Sequence, residues 1–228
     1  MAGKGSTFAN DHLLHVFQNA TIPLVGDATG LLGAGTVGSL YASLHTADPG
    51  NAGNQATSES AYSGYARVAI ARTVGAFTVA AGVVTLAANA DFPASATAGT
   101  SVATHWAIGT ASSGAGKILY SGGLGSSPYA FSALTTDVCT IPGQAYAVSD
   151  RIQFYPVRGL TLPTGITEGV VYFVKTVAGS DVTISTTDGG ATLDITAAGA
   201  GLAQKISPIT INLNTIPRLT TGTTITEG

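Results

Sequence analysis

Charge is scarce in this chain: only 9% of its 228 residues are Asp, Glu, Lys or Arg, against roughly 25% in an average soluble domain. Interspersed charge keeps monomers apart, so a surface this poor in it is weakly guarded against association and is expected to be covered in large part by other subunits. The nine basic residues are scattered. They form no stripe able to release counterions from phosphates, which removes nucleic acid from the expected partners. A single cysteine, Cys139, excludes an intrachain disulfide and a cysteine-based zinc site, and is expected to be a small buried apolar side chain. No run reaches the ~18 apolar residues of a membrane span, and no apolar stretch of signal-peptide length follows Met1. The chain is therefore expected to stay soluble in the cytoplasm where it is made, without membrane insertion.

Ala, Val, Ser, Thr and 30 Gly make up much of the rest, and the hydrophobic fraction is 45%. Disorder needs low hydrophobicity and high net charge, and this chain, at a formal net charge of -3, has neither. Helical periodicity is convincing only at the start. Ser6 or Thr7 can cap a short helix, Ala9, Leu13, Val16, Phe17 and Ala20 recur at spacings of three and four, and Pro23 is placed to stop it. A glycine-rich loop, Gly26 to Gly38, follows. Leu40, Ala42 and Leu44 then alternate against Tyr41, Ser43 and His45 in a strand that ends at the turn Asp48-Pro49-Gly50. Asn51 to Ser63 reads as a surface loop. Further strands are expected over 66–74, 77–86, 101–110 and 118–124.

From about Asp137 the texture repeats on a smaller scale. Strands are expected over 148–154 and 170–177, with 181–185 pairing to the latter, and Leu162-Pro163-Thr164-Gly165 makes a turn. Pro208 introduces a last strand, Ile209 to Leu213. The expected fold is mainly β: an antiparallel β-sandwich with a short N-terminal helix and a second small β domain inserted before the last strand. The division predicted is a first domain over 1–136, completed by 206–228, with the insert at 137–205.

Motifs of chemistry fail on context. Gly33-Ala34-Gly35-Thr36-Val37-Gly38 matches G-x-G-x-x-G, but a strand follows where dinucleotide binding needs a helix. Gly116-Lys117 ends like a phosphate-binding loop, yet Ala111 replaces the first glycine and Ile118 the Ser or Thr. His12 and His15 lie three apart on the helix without a partnering Glu, so they are expected to face solvent. His105 beside Trp106 is expected as a packed or interfacial pair. Ala61-Tyr62-Ser63-Gly64-Tyr65 lacks the first glycine of a nucleophile elbow. Asn19-Ala20-Thr21 is a sequon in form only. Most carboxylates stand at turns, where Asp bonds nearby amides, and no pair is singled out for glycosidic chemistry. The chain is expected to be no enzyme, with no catalytic residue, cofactor or metal.

The stretch from Phe8 to Leu124 resembles the tail-fibre-like virion proteins of tailed bacteriophages. The resemblance rests on the amphipathic helix, on Leu40-Tyr41-Ala42-Ser43-Leu44-His45-Thr46-Ala47-Asp48-Pro49-Gly50, on Gly64-Tyr65-Ala66-Arg67, and on Thr104-His105-Trp106-Ala107-Ile108 with Ile118-Leu119-Tyr120-Ser121-Gly122-Gly123-Leu124. Val148 to Gly201 is similar to a β module of phage tail and virion proteins. The resemblance implies a structural virion component that is tail-associated (a fibre, collar or baseplate element), with other virion proteins as partners and the virion as its location. It is expected to form a homo-oligomer. Capsid decoration, or a receptor- or glycan-binding module at the tail tip that meets a host surface receptor, are the alternatives it implies. Phe8, Leu13, Phe17, Trp106, Tyr155 and Tyr172 are the expected interface residues.

Overall fold

The computed structural model describes residues 4–226. Helix α1 spans Ser6–Gln18 and seats Ala9, Leu13 and Phe17 in the core, the face its spacing predicts. Its cap differs from expectation. Gly5 is the N-cap, with no side-chain bond, and Ser6 and Thr7 already lie inside the first turn. Before Pro23 is reached, the chain leaves the helix at Asn19, whose left-handed φ of 57° turns it away. Asn19 also clasps the glycine-rich loop, bonding both the amide and the carbonyl of Ala34 at 2.8 and 2.7 Å.

The strands follow in order. Those of the first part are β1 (Ser39–His45), β2 (Val68–Ala71), β3 (Phe77–Ala80), β4 (Val83–Leu86), β5 (Ala90–Asp91), β6 (Ser101–Ala103), β7 (His105–Gly109) and β8 (Ile118–Gly123). Next come β9 (Tyr129–Ala133), β10 (Cys139–Thr140), β11 (Arg151–Tyr155), β12 (Val171–Ala178), β13 (Asp181–Ser185) and β14 (Gly199–Ile206). The last three are β15 (Ile209–Ile211), β16 (Arg218–Leu219) and β17 (Thr224–Thr226). They form a four-stranded sheet ordered β2-β1-β7-β8, a three-stranded sheet β17-β4-β3, the pairs β15-β6 and β16-β5, and a closed six-stranded barrel ordered β10-β13-β12-β11-β14-β9. The fold is therefore mainly β with one short helix, built as several small antiparallel sheets plus a barrel. The three C-terminal strands return to pair with β6, β5 and β4.

Two hydrophobic cores form. One gathers Leu13, Phe17, Leu40, Ala42, Leu44, Phe77, Phe92, Trp106, Ile108, Ile211 and Leu219, and is called the body here. The other fills the barrel with Phe131, Cys139, Ile141, Ile152, Phe154, Tyr172, Val174, Val182, Ile184 and Ile195. Cys139 is wholly buried, and burial pushes its thiol pKa up to about 12, which leaves it an inert apolar filler.

Four expectations are corrected. The run 77–86 is a hairpin, not one strand, because Ala81 and Gly82 both take positive φ, 50° and 76°. The run 101–110 breaks at Thr104, which sends β6 and β7 to different sheets. Ser43 and His45 are buried rather than outward. The segment Asn51 to Ser63 is no free surface loop: Gln55 and Ser60 are buried beneath it, and Gln55 Nε2 donates to Tyr41 O at 3.2 Å. Of the barrel strands, β9, β10 and β14 carry no strand signal in the sequence. Strand β14 is rich in Gly and Ala because neighbours crowd it; a Cβ on Gly201 would stand 2.5 Å from Tyr155 O.

The hairpin yields a test. Two-residue turns with both φ positive favour Asn-Gly, and alanine there costs about 1–2 kcal/mol against glycine. Ala81→Asn is expected to raise stability by about 0.5–1 kcal/mol, read as an upward shift in the urea midpoint without a change in slope.

Candidate functional site: the seam between body and barrel

The chain passes between body and barrel twice, and the two crossings lie side by side. Gly125 bridges Ile206, Ser207 N–H donates to Leu124 O at 2.6 Å, and Ser126 N–H donates to Lys205 O at 3.2 Å. Around these crossings the contact is polar. Gln204 Nε2 donates to Gly123 O and Ser126 O at 3.2 and 2.8 Å, while its Oε1 accepts from Tyr155 Oη at 2.8 Å. Gln153 Nε2 donates to Asp48 Oδ2 at 2.8 Å, and Gln153 Oε1 accepts from His105 Nε2 at 2.6 Å. Asp48 comes from the Asp48-Pro49-Gly50 turn, where its Oδ1 also accepts from Gly50 N–H at 2.9 Å.

His105 is fully buried, and burial holds its pKa below the ordinary imidazole value, against the opposing pull of the Gln153 bond and Asp48. The ring donates from Nε2 to Gln153 Oε1, and its Nδ1 lies 2.9 Å from Thr104 Oγ1, a hydroxyl that donates its one proton to Thr46 O at 2.9 Å. Hydrogen-bonded side chains buried between two units favour one relative arrangement of them. This network turns the β1–turn motif and the His105-Trp106 pair into a joint.

The Gly64-Tyr65-Ala66-Arg67 motif is spent on a second network. Arg67 forms a forked ion pair with Glu59, Nε to Oε1 at 2.6 Å and Nη2 to Oε2 at 2.7 Å. Its remaining donors reach Ala111 O at 2.9 Å and Gly114 O at 2.7 Å. Tyr65 Oη donates to Glu59 Oε1 at 2.9 Å and accepts from Leu44 N–H at 3.1 Å. Gly64 is required, since its φ is +91° and a Cβ would meet Ala94 O at 2.9 Å.

Ser43 Oγ lies 2.9 Å from His45 Nε2, and His45 Nδ1 lies 2.8 Å from Thr57 O, an arrangement like a nucleophile with its base. Both side chains are fully buried, so no substrate reaches them; His45 ties β1 to the covering loop, and Ser43 ties it to Ala107 O of β7 at 3.5 Å. His15 Nδ1 bonds Ala20 O at 2.7 Å and finishes the helix, while His12 stacks on Phe8. Among the described residues no cluster of His, Cys, Asp or Glu is arranged to hold a metal ion, and no helix is long and apolar enough to cross a membrane.

Two hollows flank the seam. A groove of about 580 Å³ is lined by Trp106, Tyr120, Ser121, Tyr155, Gln204 and Thr223, among others. A smaller hollow of about 330 Å³, between Asp48, Asn51, Glu168 and Tyr155, shares Ser121 and Gly122 with it. Of the expected interface residues, Leu13, Phe17 and Tyr172 are spent on this chain's own cores, Trp106 and Tyr155 line the groove, and Phe8 is exposed. Periodicity reports which residues point inward but not whether their neighbour belongs to the same chain. Leu24, Val25, Leu31 and Leu32, around the Ile22–Leu31 bridge, are exposed together, and the loop reading of Gly26 to Gly38 gives no sign of it.

Residues 34–149, about half of the chain, match the family model described as podophage GP4 fiber I protein gp80. The match takes in β1 with its turn, the Glu59–Arg67 network, and β7 with β8. No curated protein and no solved structure matches.

Proposed function

The chain belongs to the podophage fiber I protein gp80 family, and from that membership we propose that it is a non-enzymatic segment of the tail fibre, held in the particle by protein–protein contacts. Its family makes it a structural component of the virion that associates with other virion proteins. The match over 34–149 carries this reading, because the motifs inside it are consumed in holding the body and the seam together rather than in presenting reactive groups. The low charge and the exposed Leu24, Val25, Leu31 and Leu32 support burial of this surface against other subunits, copies of the same chain included. Phe8, Trp106 and Tyr155 are the proposed interface residues that remain accessible or line the groove.

The proposed organisation is a body, residues 1–136 closed by 206–228, with an inserted barrel over 137–205 that draws in β9 as its entering strand. The four-stranded and three-stranded sheets then face one another across the body core as the two layers of a sandwich; Trp106 and Ile108 of one lie against Phe77, Val84 and Ile225 of the other.

Gold-labelled antibody against the chain should decorate the tails of purified particles. Particles that carry no copy would remove the proposal, and label confined to the head would move the protein from tail to capsid.

A further inference from the structure

Strand β8 pairs with β7 on one side only. Its register follows from Leu124 N–H donating to Thr104 O. In an antiparallel ladder, alternate residues turn their amides toward the partner, so Tyr120 and Gly122 face β7 while Ser121 presents its N–H and C=O groups to the other side; the register shifts beyond Tyr120, where Leu119 is unpaired. Among the described residues, nothing bonds the Ser121 backbone there. Natural edges are blunted by charge, proline or a covering element; Ile118–Gly123 carries no charged residue and no proline.

The groove of about 580 Å³ runs beside this edge. Residues 120–128 line it consecutively, which includes both pleat faces, as a cleft along the lateral side of a strand must. The other wall is formed by Thr220 and 222–226, by Arg218, whose charge is paired with Asp91, and by Tyr155 and Leu202 of the barrel. The volume lies in the range of ligand sites, roughly 300–1,000 Å³. Such a space admits one extended segment at the ~4.8 Å spacing of a neighbouring strand and is too narrow for a folded subunit. The chain itself continues the same side: past Gly123, residues 204–207 already bond to 123–126.

We propose that the open edge of β8 is a strand-acceptor site, which takes one extended, uncharged peptide segment of a partner protein into the groove. Ser121 donates and accepts one main-chain bond each with that segment. Alternate apolar side chains of the segment face Trp106 and Leu202, and the others lie among the hydroxyls of Ser127 and Thr223. That the segment comes from another virion protein rests on the function proposed above; the acceptor edge does not, so particle labelling and the binding test below can fail separately.

Trp106 is the only tryptophan and lines the groove, so its emission reports occupancy in the whole chain. The probe is an acetylated, amidated hexapeptide of alternating threonine and valine, matched to the six residues of β8. Saturable change in Trp106 emission is expected, with none from a hexapeptide of alternating lysine and glutamate. Ser121→Pro removes an amide that serves no ladder bond and is tolerated at an edge; it should weaken binding at least about tenfold. Ser127→Phe, which fills the groove and leaves Trp106 the only tryptophan, should do the same, and N-methylation of the peptide backbone should abolish binding. No response up to millimolar peptide, equal binding of the N-methylated peptide, or undiminished binding by folded S121P overturns the proposal. If S121P does not fold, Ser127→Phe and the N-methylated peptide decide it alone.

Discussion

Replacing Arg67 by alanine is expected to cost about 3–5 kcal/mol, the loss typical when one partner of a buried ion pair is removed. The Arg67 side chain is 2% exposed and that of Glu59 18%. Truncation strands the Glu59 carboxylate with Tyr65 as its remaining protein partner and orphans the carbonyls of Ala111 and Gly114. Those groups belong to two separate loops, 51–63 and 110–117, so the change should loosen both from β1 and β2 together. Arg67→Lys should recover little, because an ammonium cannot make the fork with Glu59 and also reach both carbonyls. Tyr65→Phe, which removes a single bond to the carboxylate and one acceptor for Leu44 N–H, should cost about 1–3 kcal/mol. Urea unfolding measures all three. A loss below about 1 kcal/mol for Arg67→Ala would show that this network is not what holds the motif region in place.

Mild acid is expected to unfold the body ahead of the barrel. All four histidines lie before residue 129, and two of them, His45 and His105, are buried with their pKa values held low chiefly by desolvation. Around His45 stand Ser43, the Thr57 carbonyl, Glu59, Arg67 and His105; around His105 stand Thr104, Gln153 and Asp48. In the unfolded chain each imidazole titrates near 6.5. Below that pH, and down to the lower folded value, the unfolded state holds more protons than the folded one. Stability therefore rises with pH across this window and is lost as pH falls through it, by up to about 1.4 kcal/mol per histidine per pH unit. Asp91 does not confuse the reading, because its hydrogen bond and ion pair with Arg218 hold its carboxyl below the usual carboxylate range. Calorimetry from pH 7 to 5 should show two transitions, with only the body's moving down, and His45→Gln with His105→Gln should flatten that shift. One transition that moves as a whole would count against the proposed division into body and inserted barrel.

Short-range patterns were legible in the sequence where the physics is local. The helix stripe of Leu13 and Phe17, the Asp48-Pro49-Gly50 turn and the β12–β13 pairing each depend on residues within a few positions of one another, and each stands as the spacing predicts. The burial of Ser43 and His45 was not legible, because period-two alternation assumes one wet face, and here a polar loop folds over that face. Strand β14 escaped because Gly199, Ala200 and Gly201 have little β propensity of their own; they are strand because β11 and β9 flank them closely. The groove was invisible for a related reason: its walls come from residues near 106, 120, 155 and 220.

By itself, then, the sequence determined the β character of this protein, its single helix, its shortage of charge, and the motifs that mark it as a phage fibre protein. Composition and periodicity act through neighbours along the chain, and those neighbours are written in order. Only the tertiary structure decided that six strands close into a barrel, that Glu59 and Arg67 meet beneath a loop, that His105 and Asp48 meet Gln153 across a seam, and that one side of β8 is left open. Each of these joins groups brought together by the packing of two separate cores, and nothing in the local pattern of one segment specifies which distant segment will lie against it.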